Sequence, residues 1–313
     1  MITIVVLLGF AAAAGWLAPV PLERLTGGSA GDCAPRLAIA TWLAAIGSVL
    51  VAVATAIWLL VRGTVEGWPS FARNFCQTVS DRNCPPQVYR SALFELSLAA
   101  VTLVVTLAVA VLAWRYARRV RGAQRRTRAH GQAVRITARP TSLTAGAMVL
   151  PADRPAAYCV PGRKATIVLT TAALDVLGPR ELDAVLAHER AHLAGHHHLL
   201  TGLTKGLASV VPVFRKGAAE IARLTELRAD DVAARSGGHV TLARALLAMA
   251  TGAAFPVPSR ALAAIPAGGG AVTARVRRLL TPVPRSRRVW HATALAAVII
   301  TLTAVSTALP AVA

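Results

Sequence analysis

The densest chemistry in this chain sits in Ala187-His188-Glu189-Arg190-Ala191-His192, partnered downstream by Glu226-Leu227-Arg228-Ala229-Asp230. On a helix, residues four apart share a face at about 6 Å, so His188 and His192 can offer imidazole nitrogens to one metal ion while Glu189 flanks it. H-E-x-x-H is the spacing with which zinc hydrolases hold their metal and place a general base. Zinc needs a third protein ligand and an open position for water, and Glu226, on a second helix-patterned segment, is the best-placed candidate. Asp230 lies one helical turn further on, where its carboxylate can accept the second ring N–H of a liganding histidine. The plainer alternative, a solvated helix face with two unrelated histidines, leaves the E-x-x-A-D segment unexplained.

The elements that carry these residues belong to an apolar chain. Of its 313 residues 55% are hydrophobic, and the mean hydropathy is +0.55, which is too greasy for a soluble enzyme. The net charge of +20, from 34 Lys and Arg against 14 acids, would suggest nucleic-acid binding in a soluble protein. Here the arginines crowd the ends of apolar segments, where they fix orientation and meet anionic lipid. No nucleic-acid module accompanies them, so no direct nucleic-acid contact is expected. Four cysteines imply no disulfide scaffold.

In chain order, residues 2–20 form an apolar run long enough to cross about 30 Å of hydrocarbon. No positive charge precedes the run, so an uncleaved span is expected, not a secretory signal. Residues 37–61 and 91–114 are read as the second and third spans, and 289–313 as the apolar run of the fourth. Between the second and third, residues 62–90 read as a loop. Its Cys76 and Cys84 are disulfide partners if they face an oxidising exterior and free thiols otherwise. Seven arginines between Arg115 and Arg128, and six more between Arg275 and Arg288, mark cytoplasmic flanks. The segment between them is therefore expected in the cytoplasm, with both termini and the 62–90 loop outside. The expected organisation is three spans within residues 1–130 (with a basic flank at 115–130), a cytoplasmic metal-binding domain over 131–286, and a fourth span over 287–313.

Within the cytoplasmic segment, residues 134–138 and 156–160 look strand-like, and Pro161-Gly162 is a turn signal before a β-branched run. A small antiparallel sheet or hairpin is expected. In zinc peptidases of this sort an edge strand beside the metal helix often receives substrate as an added strand. Lys164, Ala165, Thr166, Ile167, Val168, Leu169 and Thr170 are the candidates for that edge, a core hairpin without substrate contact being the alternative. A short helix over 171–177, a metal helix over 179–200 and an amphipathic helix over 218–235 follow. His196, four residues beyond His192, could be offered as a ligand, but a run of three histidines near a helix end reads as a solvated turn. Cys159 is expected as a reduced, buried thiol.

With these residues in place, the chain resembles the membrane-embedded gluzincin peptidases of the BlaR/MecR type and, more distantly, the HtpX-like membrane peptidases. Tyr158-Cys159-Val160-Pro161-Gly162 looks like the strand before their site, and Glu181-Leu182-Asp183-Ala184-Val185-Leu186-Ala187-His188-Glu189 like the entry to their metal helix. The resemblance implies an α-helical membrane protein with four transmembrane helices and a cytoplasmic, mainly α, zincin-like domain containing a small antiparallel β-sheet. It implies Zn2+ on His188, His192 and Glu226, Asp230 behind a liganding histidine, and Glu189 as the general base of a zinc metalloendopeptidase. Its substrate would be a cytoplasmic protein or peptide, such as a transcriptional repressor or the protease itself. In the BlaR/MecR receptors a penicillin-binding sensor domain follows the last span, whereas this sequence stops with that span, so direct β-lactam binding is not expected. A membrane quality-control peptidase, or a non-catalytic scaffold that uses zinc structurally, are the alternatives.

Overall fold

The structure is a computed structural model and describes residues 2–16, 19–26, 34–80, 86–140, 147–162, 165–252, 270–281, 293–298 and 300. Four helices come first: α1 (Ile2–Trp16), α2 (Pro19–Thr26), α3 (Pro35–Ser80) and α4 (Pro86–Thr137). Among the described residues, the helices over Thr3–Thr26, Pro35–Phe71 and Leu93–Thr137 are long and apolar enough to cross a membrane. Leu103, Val104 and Leu107 of α4 stand well exposed, an arrangement that suits lipid and would be unfavourable in water.

The 46 residues of α3 make a rod of about 69 Å at 1.5 Å per residue, more than twice the roughly 30 Å of a hydrocarbon core. The surplus corrects the expected loop over 62–90. The apolar run ends near Arg62, but the helix continues through Pro69 to Ser80, and α4 starts at Pro86. Arg62 holds Glu66 one turn on at 2.8 Å, and Trp68 stacks on Phe71, so polar and aromatic spacing carries the helix where hydropathy stops. Residues 134–137, expected as strand, are the last turn of α4. The Cys76–Cys84 pairing lies outside the described side chains, and most of the fourth span lies outside the described residues.

The chain divides into two compact units, Met1–Pro19 with Leu43–Ala117 and Ala297–Ala313, and Val20–Trp42 with Arg118–Ala296. The first comprises α1 and the larger parts of α3 and α4. The second holds the H-E-x-x-H segment and is built on a four-stranded sheet: β1 (Arg139–Pro140), β2 (Ala147–Leu150), β3 (Ala157–Val160) and β4 (Thr166–Thr170), in the order β1-β2-β4-β3. The sheet is mixed and not antiparallel as expected, because β2 and β4 run parallel. The chain lays down the outer β3 before β4 fills the gap between β2 and β3. β4 is paired on both sides and also packed on both faces, which explains its unbroken apolar run. Ile167 and Leu169 face the helices that follow. Val168 packs with Val134 and Ala138 from the end of α4.

Among the described residues the unit also contains the helices α5 (Thr171–Val176), α6 (Pro179–Ala194), α7 (His197–Val210), α8 (Arg215–Gly237), α9 (His239–Thr251) and α10 (Ala271–Leu280). The single helix expected over 179–200 is thus two helices, broken at Gly195 and His196. The start of α8 is anchored within this unit by α2 and the beginning of α3. Arg223 Nη2 donates to the Thr26 carbonyl at 2.5 Å, and Trp42 Nε1 donates to Thr26 Oγ1 at 3.2 Å.

Thr170 ties the sheet to its helices. Its hydroxyl accepts from Ala173 N at 3.2 Å, capping α5, and from Ala156 N at 2.9 Å, while donating to the Arg154 carbonyl at 2.9 Å. Thr170→Val keeps the shape and strands two backbone donors. A loss of about 1–3 kcal/mol is expected, read as a fall of several degrees in the unfolding temperature; an unchanged midpoint would contradict this role.

Candidate metal centre and cleft

The H-E-x-x-H residues lie on α6, whose first turn starts with Pro179 after a Gly178 cap and carries Glu181. Ala184 and Leu186 bury α6 against the domain core, while Val185, His188, Glu189 and His192 share the stripe that faces the cleft. α8 crosses it closely because the contact residues are small: a Cβ on Gly237 would come within 3.2 Å of the Ala184 Cβ. Ile221, Leu224 and Leu227 anchor α8 in the core, and Glu226 projects back toward α6.

Three ligand atoms converge there. His188 Nε2 and His192 Nε2 are 3.1 Å apart, and Glu226 carboxylate oxygens lie 3.5 Å from the first and 3.4 Å from the second. Two ligands bonded to one ion at zinc-like lengths and a tetrahedral angle stand about 3.3 Å apart. The donor set therefore fits a metal ion in chemistry and in spacing, and His188, His192 and Glu226 form the group that could hold one.

The electrostatics call for a cation too. Glu189 and Glu226 line the cleft, Asp230 lies buried behind it, and Arg275 from α10 pairs with Glu226 and Asp230. Asp230 is fully buried, and Arg275 clamps it with bonds of 2.7 and 2.6 Å. A second branch of the same guanidinium sits 3.1 Å from Glu226. His188 Nδ1 is 3.1 Å from Asp230 Oδ1, a close but poorly aligned contact. Burial alone would lower the His188 pKa, but the facing carboxylates of Asp230 and Glu226 outweigh it and raise the ring to about 9. A metal ion would take the place of that extra positive charge. Burial opposes the ionised forms of Glu226 and Asp230, but their histidine and Arg275 partners prevail, and both carboxylates are held below their ordinary range. Glu189 is different: burial dominates over the two histidines and pushes its pKa up.

The cleft in front of this cluster has a volume of about 370 Å³. Its walls are β3 (Ala157, Tyr158, Cys159), the site face of α6, and Leu242, Leu246 and Met249 from α9. The edge beside the metal helix is therefore β3. The expected Lys164–Thr170 edge is corrected: Thr166–Thr170 is the inner strand β4, with both sides taken by β2 and β3, and Lys164 lies outside the described residues. The Cys159 thiol, half-buried on β3, is pushed up to about 11 by burial and then by Glu189, so it stays protonated.

Two site residues escaped the sequence reading. Arg275 was one arginine among many before an apolar run, and nothing local marks it as the partner of Asp230. His197 belongs to a triple-histidine run whose composition reads as a solvated turn, yet it is buried at 6% exposure and its Nδ1 lies 2.9 Å from His192 Nδ1. Burial, then His192, hold the His197 pKa down to about 4. His196 is exposed and outside the cluster.

Residues 121–256 match the family model of peptidase family M48. The matched stretch runs from within α4 to just past α9, so it covers the sheet, His188, Glu189, His192, Glu226 and Asp230 but not Arg275. No curated protein and no solved structure gives a significant match.

Arg275→Ala leaves Asp230 charged and buried without its partner. A loss of about 3 kcal/mol in stability is expected, with Arg275→Lys recovering only part because an ammonium cannot form the two-pronged bond. Denaturant unfolding of the metal-free protein measures it, and equal midpoints for wild type and the Ala variant would contradict the clamp.

Proposed function

We propose that this chain is an integral-membrane zinc-dependent endopeptidase that hydrolyses peptide bonds of cytoplasmic protein substrates. The observation that carries the reading is the convergence of His188 Nε2, His192 Nε2 and the Glu226 carboxylate at 3.1 to 3.5 Å, with buried Glu189 lining the same cleft. The match to peptidase family M48 over 121–256 supports it.

His188, His192 and Glu226 would hold the zinc, which supplies a Lewis acid that polarises the scissile carbonyl and makes water a better nucleophile near neutral pH. Glu189 accepts the proton of the attacking water on its carboxylate and delivers it to the leaving amine. Burial, by raising its pKa, brings that carboxylate closer to the range in which it can both take and return a proton. An extended substrate can lie along β3. The Thr170 N–H bonds to the Ala156 carbonyl, so by alternation the backbone groups of Ala157 and Cys159 point away from β4 and are available to pair with it. Val185, Leu242, Leu246 and Met249 line the cleft with apolar surface. Arg275 and Asp230 keep Glu226 and His188 in place.

The placement of residues 20–42 in the same unit as the peptidase segment supports a topology with the first connection on the catalytic side. Both arginine clusters favour the cytoplasm for that side. On the resemblance to the BlaR/MecR type, the substrate is a cytoplasmic regulator, such as a repressor, or the protease itself. A quality-control role against misfolded membrane proteins is the second reading, favoured by the match to M48, the family that includes the HtpX-like membrane peptidases.

Glu189→Gln removes the base and leaves the ligands. It is expected to retain zinc and to lose about two to four orders of magnitude in rate. Comparison of new protein N-termini in cells carrying wild type and Glu189→Gln tests this. One or two termini lost from the mutant, on a regulator or on the protein itself, indicate regulated cleavage. Many scattered losses indicate quality control, and near-normal turnover by the mutant rejects the assignment.

A further inference from the structure

Each zinc-liganding imidazole commits one ring nitrogen to the ion, so its other nitrogen must be given a partner that fixes the tautomer and the ring plane. For His188 that partner is the Asp230 carboxylate. His192 meets no acid at this position; its Nδ1 points at the ring of His197, Nδ1 to Nδ1 at 2.9 Å, with centroids 4.8 Å apart and the planes at 88°.

On an unbroken helix a residue five positions on lies about 140° around the axis, on a face that cannot reach back. The chain solves this with a corner. α6 ends at Ala194, Gly195 takes φ −81° and ψ −2°, and His196 adopts φ 50°, the one positive φ of a non-glycine among the described residues. α7 then begins at His197, and its ring folds back over the corner. The space it uses is that of a missing side chain: a Cβ on Gly195 would stand 2.3 Å from His197 Nε2 and 2.6 Å from its Cδ2. A solvated turn would leave the ring exposed, whereas His197 is buried.

We infer that His197 is the positioning residue for the metal ligand His192: its Nδ1 accepts the His192 Nδ1–H and so turns the His192 Nε2 lone pair toward the ion. The inference rests on the zinc-peptidase reading and deepens it. It gives His197, the middle member of the histidine run, a defined role and makes Gly195 part of the centre, since any side chain there evicts the ring. It also makes the two liganding histidines unequal, one backed by a carboxylate and one by a neutral imidazole.

The test uses the full-length protein in detergent, with zinc and cobalt(II) as probes, and compares wild type, His197→Leu and His197→Asn. Leu fills the buried volume without an acceptor; Asn keeps an acceptor oxygen. Zinc affinity is measured by chelator competition, the ligand field by the visible absorption of bound cobalt, and folding by unfolding of the metal-free protein. His197→Leu is expected to bind zinc about 10- to 100-fold more weakly and to alter the cobalt bands, while His197→Asn retains most of both. Equal zinc affinity in wild type and Leu overturns the inference, as does equal loss in Leu and Asn. If the Leu variant does not fold, Ala takes its place under the same criteria. Absence of zinc binding by the wild type would instead reject the peptidase reading itself.

Discussion

A carboxylate with almost no access to water sets the terms for this site. Asp230 has 1% of its side chain exposed, and a buried charge of that kind persists only if it is paired and fully hydrogen-bonded. Arg275 provides the pairing, and its guanidinium extends to Glu226. The same carboxylate, through Oδ1, also meets His188. One buried acid therefore connects α6, α8 and α10, the three helices whose relative positions define the centre. The apolar packing around it, with Ala184, Ala233, Leu242 and Val276 in one cluster, keeps water out and the local dielectric low, which strengthens every one of these contacts.

Around that anchor the domain separates two tasks. α6 and α8 meet through small residues, and this close crossing holds the donor atoms at ligand spacing. The sheet performs the other task by presenting an edge strand, β3, across the cleft. β4 makes this possible by being buried on both faces, so that the sheet is fixed from behind while its outer strand stays accessible. The Thr170 hydroxyl links the two parts, since it caps α5 and also holds the strand entry at Ala156.

The parts of this arrangement that are local in sequence were legible from it. His188, Glu189 and His192 announce themselves because helical periodicity converts their spacing directly into geometry, and Glu226 and Asp230 follow for the same reason. The non-local parts were not. Thr166–Thr170 has the composition of a strand, but whether it is an inner or an edge strand depends on the order in which distant strands pair. Arg275 and Asp230 are 45 residues apart, with nothing in between to link them. His197 was hidden by a wrong premise, a continuous helix, and Gly195 was the residue that could have exposed it. In α3 hydrophobicity ends before helicity does, because the membrane limits only the former.

The separation of Arg275 from the acids it compensates has a consequence for biosynthesis. The ribosome delivers His188, Glu189, His192, Glu226 and Asp230 first, and the guanidinium follows Asp230 by 45 residues, roughly two to nine seconds at common elongation rates. During that interval Asp230 lacks the guanidinium that clamps it in the finished fold. The clamp that ties α6, α8 and α10 together is therefore complete only once translation has passed Arg275.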